Sequence, residues 1–307
     1  MSTKKPTRTR ASGKQTSEAR SLSGNLTVAV VVLTTGNRDA QLRALAKSLD
    51  DQQAVERLLI VNGGASVQLK GWSETVLPEN IGVPAGRSLG ATSCTADVVV
   101  YLDDDCALVS DDLLTRVVER FQQRPELGVL GFRVQSTGGG APMRRWTPAK
   151  SLPESDGLSL SVTFPGGGHA ICRRAFLEVG GYCDEIFFKH EETYLSWRLL
   201  DAGWEVAYDD SCVVEHPSTS EGRHPTALRV GARNKVWIAR MALPAILVPV
   251  SVAITLARYV GRCRRASEVM QVGIGIRAGF RRPPDPREPM SWRTAWLLSK
   301  RGRPPVL

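Results

Sequence analysis

Apolar and polar positions along the chain fall into short blocks whose spacing alternates between that of a strand and that of a helix. Residues 28–33 are continuously apolar, and so short a run, bounded by polar residues, suits a strand buried on both faces of a parallel sheet. A first strand is therefore predicted over 26–34, followed by a tight Thr35-Gly36-Asn37-Arg38 loop with Asn37 as helix N-cap. Leu42, Leu45, Ala46 and Leu49 recur at helical spacing. Residues 58–61 and 75–77 read as further strands, and 84–94 as a helix with Pro84 in its first turn. A strand over 98–102 runs into Asp103-Asp104-Asp105. Ser110 is predicted to cap the next helix, with Leu113, Leu114, Val117, Val118 and Phe121 as its buried stripe, and 129–134 returns as a strand. Such alternation with short connections argues for an α/β fold, a mostly parallel sheet with helices on both faces.

Beyond 136 the pattern changes. Glycines 138–140, Pro142, Pro148 and Pro153 mark a long irregular stretch enclosing one expected strand over 158–164, and loops of that length are usually functional. The Gly166-Gly167-Gly168 run permits close backbone approach to a ligand or simply a turn. Helices near 174–179 and from about 192 to Gly203 follow, then short strands over 204–208 and 212–214 that lead to Glu215-His216-Pro217. Residues 229–240 form a basic amphipathic segment ahead of an apolar run over 241–257. At about 1.5 Å per residue that run reaches about 25 Å, short of a ~30 Å hydrocarbon core. Pro244 and Pro249 interrupt it and arginines stand at both ends, which favours an interfacial or re-entrant segment on an anionic membrane surface over a span. The expected organisation is a disordered basic tail over 1–24, a catalytic α/β domain over 25–226 and a basic, membrane-associated helical region over 227–307.

Charge sharpens this division. The 307-residue chain is 42% apolar, enough for a sizeable core, and carries a formal charge of +9. The excess sits in two flanks: residues 1–20 hold six Lys/Arg against one acid, and 258–307 hold twelve against three, so the body between is mildly acidic. Neither flank interleaves aromatics as a nucleic-acid module would, so a membrane surface is the expected partner rather than nucleic acid. The six cysteines show no zinc spacing or disulfide framework, which fits a reducing compartment, the cytoplasmic side of the cell membrane.

Candidate chemistry gathers around the three acids. Ligands in open α/β sheets bind beyond the carboxyl ends of the strands, and three carboxylates there would repel one another and a phosphate unless a divalent cation sat between them. Arg87 offers a rigid fork for phosphate or carboxylate, or is a plain surface arginine. Glu191-Glu192 follow Phe187-Phe188, and a carboxylate in that partly apolar setting can serve as general base, although acids also favour a first helical turn for dipole reasons alone. His216 ends a strand. Oxygen ligands with one imidazole suit Mn²⁺ better than zinc. Neither the 35–38 loop nor the 80–87 stretch matches a Walker P-loop or a GxGxxG fingerprint.

The segments 28–38, Asn80-Ile81-Gly82 with Arg87, 102–105, 180–185, Glu191-Glu192 and Trp197-Arg198 with Ala202-Gly203-Trp204 together resemble family 2 glycosyltransferases of the GT-A fold, over roughly 26–220. The resemblance implies an inverting transferase that takes a hexosyl or deoxyhexosyl group from a nucleotide-sugar donor, with UDP and dTDP both open. It also implies Mn²⁺ or Mg²⁺. Asp103 and Asp105 match the family's DXD motif and His216 the histidine that often completes the metal ligands, while Asp104 falls near the ribose or sugar. Thr35, Asn37, Arg38 and Asn62 fall where nucleobase and ribose bind, and Asn80 and Arg87 on the nucleotide side of the donor. The acceptor implied is a glycan or lipid-linked hydroxyl of the cell envelope. Two positions depart from the pattern: the Glu-Asp pair that supplies the base reads Glu191-Glu192 with Tyr194 after it, and Val61 replaces an acid before Asn62. Alternatives of other classes are a nucleotidyltransferase, disfavoured by the single Gly36 in the first loop, and a catalytically decayed membrane scaffold, disfavoured by the retained Asp103, Asp105 and His216.

Overall fold

The structure, a computed structural model, describes residues 25–140, 147–148, 152–154, 156–217 and 226–306. The expected basic tail over 1–24 lies outside these residues, as do parts of the irregular 136–165 stretch. Among the described residues ten strands form one sheet. β1 (Val28–Thr34), β2 (Glu56–Asn62), β3 (Ser73–Leu77) and β4 (Val98–Asp103) form its parallel half in the order β3-β2-β1-β4. α1 (Asp39–Ser48) and α2 (Val83–Ser93) connect these strands. The buried runs of valine, leucine and isoleucine in β1, β2 and β4 are the pattern expected of strands covered on both faces.

The second half departs from the expected mostly parallel arrangement, and the sheet as a whole is mixed. β9 (Gly168–Cys172) inserts antiparallel between β4 and β6 (Leu127–Ser136), and β10 (Glu205–His216) then runs parallel to β6. β5 (Ala107–Leu108), β7 (Leu152–Pro153) and β8 (Ser159–Leu160) are two-residue strands in antiparallel pairs. Among the described residues of 137–167 no crossover helix leads into β9, and without a crossover a strand is free to return antiparallel. Glycine at its head and the buried His169 in its middle concealed β9 among the apolar residues.

Several local expectations are corrected. α3 (Leu113–Gln123) starts beyond Asp112, so Ser110 is not its cap, and α1 has Arg38 rather than Asn37 at the N-cap, without a side-chain cap bond. The expected 158–164 strand shrinks to Ser159–Leu160, because Ser161 turns its hydroxyl to the Thr163 carbonyl (2.7 Å). The two short strands over 204–214 are one strand, β10, irregular between Asp209 and Val213; Asp209 there accepts from the Ser211 amide and hydroxyl and pairs with Arg120 at 2.7 Å.

α4 (Arg173–Glu178) and α5 (Glu191–Asp201) precede β10, and four helices follow it: α6 (Ala227–Ala242), α7 (Leu247–Val260), α8 (Ala266–Gly279) and α9 (Trp292–Lys300). The apolar 241–257 run is thus split between α6 and α7 around Pro244, and among the described residues no helix is long and apolar enough to cross a membrane. α9 is latched to the end of α5: Asp201 accepts from the Ser291 amide (2.8 Å) and the Thr294 hydroxyl (2.7 Å). α6 is tied to the loop before α5 by Asn234, whose buried amide donates to the Ile186 (3.0 Å), Phe188 (2.8 Å) and Lys189 (2.9 Å) carbonyls.

α2 lies close against β1 because Gly90 and Gly86 face it; a Cβ on Gly90 would stand 2.4 Å from Val31 Cγ1. Val31 is wholly buried and has no room to withdraw. Gly90→Val should therefore destabilise the protein by roughly 1–3 kcal/mol through overpacking, read as a lowered midpoint in chemical denaturation. An unchanged midpoint would show that α2 does not rest on β1 here.

Candidate active site

The parallel register sets Leu33 at the end of β1 beside Asp103 at the end of β4. Immediately beyond the acids, β5 pairs antiparallel with β10, Ala107 opposite Glu215, and so delivers His216 to the same sheet edge. The result is an open cavity of about 500 Å³. Thr35, Asn37, Arg38, Asn62, Asn80, Arg87, Asp103, Asp104, Asp105 and His216, every residue expected on the donor and metal side, line it.

The acids are not equivalent. Asp104 accepts a 2.6 Å bond from the Thr34 hydroxyl and a 2.7 Å bond from Arg38 Nη1, which also lies 2.7 Å from Asp105 Oδ2. Asp103 pairs with Arg87 at 3.2 Å. His216 Nε2 stands 3.0 Å from Asp105 Oδ1 and 3.7 Å from Asp103 Oδ2. Burial works to raise the carboxyls of Asp103 and Asp105; it prevails at Asp103, with Asp105 and Asp104 adding to it against Arg87 and His216. At Asp105 His216 and Arg38 overcome burial, and the carboxyl is held below its usual range. Burial opposes charge on His216, but the facing carboxylates of Asp105 and Asp103 outweigh it and raise the imidazole.

Asp103, Asp105 and His216 each offer a ligand atom within 4.8 Å of the others. The buried Oδ1 of Asp105 finds no well-directed hydrogen-bond donor among the described residues. His216 Nδ1 lies 2.8 Å from the Pro217 carbonyl, a placement that assigns the proton to Nδ1 and turns the Nε2 lone pair towards the carboxylates. Two carboxylates and one imidazole facing a common point fit a hard divalent cation of the Mn²⁺ or Mg²⁺ type.

Asn62 does less at the cavity surface than its position suggested. Its amide holds the 80–82 turn together, donating to Asn80 Oδ1 and the Gly82 carbonyl (3.1 Å each) and accepting from the Ile81 amide (2.8 Å). That turn meets the 187–190 loop: Val83 N–H donates to the Phe187 carbonyl at 2.7 Å, and Gly82, at φ +91°, would drive a Cβ to 2.8 Å from the Phe187 backbone. Phe187 and Phe188 are thereby set into the cavity wall. Thr34, Phe187 and Phe188 were not among the expected ligand contacts. The signal for Thr34 was its place as the last residue of the apolar first strand, at the edge where ligands bind.

Glu191 and Glu192 open α5, as expected, but lie behind the cavity rather than in its lining. Arg87 joins them to it. This buried guanidinium donates to the Gly166 carbonyl (2.7 Å), pairs with Asp103, and stands 3.9 Å from a carboxylate oxygen of each glutamate. Burial opposes its charge, yet Tyr182, Asp103, Glu192 and Glu191 raise its pKa. Gly166 leaves room for Glu192, since a Cβ there would fall 2.2 Å from Glu192 Oε1. Burial pushes both glutamates up, and at Glu191 the neighbouring Glu192 charge pushes further. The Glu191 side chain is 6% exposed and that of Glu192 20%. Of the two, Glu191 is the more deeply buried and is pushed up to about 8.

The family model of glycosyl transferase family 2 matches residues 30–181. The fold is GT-A, and over the matched residues this chain belongs to that family. It is 28% identical over 234 residues to the pre-mycofactocin glycosyltransferase of Mycobacterium tuberculosis, an alignment covering 69% of this chain and 45% of that one. The chain thus spans about half the length of the curated relatives it matches. Among solved structures, GalNAc-T7 with UDP, GalNAc and Mn²⁺ superposes at a TM-score of 0.59 with 18% identity, over 76% of this chain and 52% of that one. S. aureus TarS 1–349 also gives 0.59, with 13% identity over 83% and 81%.

A proton bound more tightly in the folded than in the unfolded state makes stability fall as pH rises between the two pKa values. Glu191 is raised in the folded chain, so stability should decline from the ordinary glutamate range upward, over roughly pH 5 to 8. Thermal melts of wild type and Glu191→Gln across that range check this. The wild type should lose more than the variant; parallel curves would mean that Glu191 is not held protonated.

Proposed function

We propose that this chain is a metal-dependent, inverting glycosyltransferase that moves a hexosyl or deoxyhexosyl group from a UDP- or dTDP-sugar to a hydroxyl of a glycan or lipid-linked acceptor in the cell envelope. The observation that carries the proposal is the convergence of Asp103, Asp105 and His216 at the edge of a cavity whose far wall is the loop after β1. The UDP and Mn²⁺ of the GalNAc-T7 structure support the donor and metal classes. Asp103, Asp105 and His216 would hold Mn²⁺ or Mg²⁺, which supplies charge neutralisation for the leaving diphosphate.

The remaining work falls to side chains. Arg38 and Arg87, now paired with the acids, are placed to turn towards diphosphate oxygens, where a guanidinium fork binds two at once. Thr35 and Asn37 face the nucleoside end, while Asn62 and Asn80 keep the turn beneath it in shape. Glu192 takes the proton of the attacking hydroxyl: it is the more exposed of the pair, and the Arg87 guanidinium stands 3.9 Å from its carboxylate. Glu191, buried and protonated, tunes Glu192 rather than reacting. A nucleotidyltransferase gains no support, since the loop after β1 has the single Gly36. A decayed scaffold would have no need of a preserved ligand set.

We also place the enzyme at the cytoplasmic face of the membrane, as a peripheral or re-entrant protein. Ile246, Val250, Met270, Ile274 and Phe280 of the α7–α8 region are all exposed. Among residues 258–282 there are seven arginines and one acid. Apolar side chains framed by arginines are complementary to an anionic bilayer surface.

Four variants test the chemistry. Asp103→Ala and Asp105→Ala should abolish Mn²⁺-dependent binding of UDP or dTDP, measured by calorimetry; undiminished binding in both would overturn the metal assignment. Glu192→Gln should keep donor affinity and lose turnover about 10²–10⁴-fold, and equal loss in Glu191→Gln alone would move the base by one residue. For the membrane, Met270→Glu with Ile274→Glu should weaken co-sedimentation with phosphatidylglycerol vesicles and leave nucleotide binding intact. Unchanged sedimentation would remove this face from the account.

A further inference from the structure

The loop before α5 follows a backbone path that side chains disfavour. Phe187 has φ +66° and ψ −53°, and the Phe188 amide donates to the Ile186 carbonyl across it at 2.8 Å. That is a γ-turn of the positive-φ kind, which is rare and strained. Lys189 follows at φ +68° and His190 at φ +69°, both unusual for residues with a Cβ. Such a run persists only where the surrounding structure holds it, and it collects at functional sites. His190 is also the N-cap of α5, and its carbonyl accepts from the Tyr194 amide at 3.1 Å. The path of the loop therefore decides where Glu191 and Glu192 begin.

The holding groups come from α6 and α7. Asn234 is wholly buried, and its Nδ2 donates to the Ile186, Phe188 and Lys189 carbonyls. A side-chain amide has two N–H donors, so the three acceptors share them and the loop is clamped as one piece. Arg233 fixes which way the amide points: its Nε and Nη2 donate to Asn234 Oδ1 at 3.1 and 2.9 Å, and Nη2 also reaches the Ile186 carbonyl at 3.2 Å. The Tyr259 hydroxyl of α7 stands 2.9 Å from His190 Nε2. On the cavity side, the Phe187 carbonyl accepts from the Val83 amide at 2.7 Å. Phe187 and Phe188 line the donor cavity, whereas Asn234 and Tyr259 do not.

We infer that Asn234, assisted by Tyr259, is a positioning residue for the transfer reaction: it holds the strained 186–190 loop in the path that sets Phe187 and Phe188 into the donor cavity wall and starts α5 at the two glutamates. The inference rests on the transferase reading above for the word donor, but the clamp does not. Without the amide, the loop loses the group on which its carbonyls converge, and paths of lower backbone energy open to it. The cavity wall and the start of α5 then move together, because four residues of continuous chain carry both. By this route the C-terminal helices, none of whose residues lines the cavity, act on the site through one side chain. A glycine at position 189 carries no Cβ penalty at positive φ, so it should replace part of the clamp.

The test compares the full chain as wild type, Asn234→Ala, Tyr259→Phe, and Asn234→Ala combined with Lys189→Gly. Amide hydrogen exchange is followed over residues 185–196, and calorimetry measures binding of Mn²⁺ alone and of UDP or dTDP with Mn²⁺. Asn234→Ala should speed exchange over 185–196 while β1, β2 and β4 stay protected, and should leave Mn²⁺ affinity unchanged. Nucleotide binding should weaken about tenfold, because only chains with the loop in place are competent to bind. Adding Lys189→Gly should recover part of both the protection and the affinity. Tyr259→Phe, a smaller change expected to weaken nucleotide binding about threefold by the same route, keeps the test readable if loss of Asn234 unfolds the chain. A purely structural role would lower the melting temperature, leave the nucleotide affinity of the folded chain as in wild type and gain no affinity from Lys189→Gly; that result overturns the inference, as does unchanged exchange over 185–196 in both single variants. A wild type that binds Mn²⁺ but neither nucleotide contradicts the donor reading instead, and the exchange measurement with its glycine rescue then decides on Asn234 by itself.

Discussion

Three adjacent carboxylates at the end of β4 are the constraint around which the rest is arranged. Like charges this close cannot all stay ionised in a half-buried setting without compensation. The fold supplies it from separate directions: Arg38 after β1, Arg87 from α2 and His216 from the end of β10. Each countercharge requires its element to be where it is. The β1–β4 register brings Arg38, the Gly86 and Gly90 contacts press α2 inward, and the β5–β10 pair brings His216. The strand order is thus tied to the electrostatics of the site.

Arg87 connects this cluster to the glutamates. It is buried, bound to the Gly166 carbonyl, and shared by Asp103, Glu191 and Glu192. Under the proposed function, a diphosphate that drew the guanidinium towards the acids would change the field on Glu192 and so couple donor binding to its basicity through one side chain. The C-terminal helices join the same system from behind, because Asn234 holds the strained loop that sets both the phenylalanines of the cavity and the glutamates of α5.

The apolar runs of β1, β2 and β4 made the parallel half of the sheet legible in the sequence, since doubly buried strands leave no other pattern. β9 was hidden because it consists of Gly168, a buried histidine and only three apolar residues. The antiparallel pairing it forms has no local signal at all. Within the site, the acids, Arg38, Arg87 and His216 could be named from residue type and the ends of strands. The division of labour between Glu191 and Glu192 could not, because it depends on burial and on the room left by Gly166, 25 residues upstream in a loop. Asn62 could be placed at the cavity, whereas its role in bracing the 80–82 turn emerged only from three hydrogen bonds.

The central claim is that Asp103, Asp105 and His216 are ligands of one divalent cation. Anomalous diffraction from crystals of the full chain grown with Mn²⁺ and UDP tests it most directly. The account predicts a manganese peak within about 2.0–2.4 Å of a carboxylate oxygen of Asp103, a carboxylate oxygen of Asp105 and Nε2 of His216. A manganese peak coordinated elsewhere, or an ordered nucleotide in the cavity with no manganese at these three residues, would contradict it.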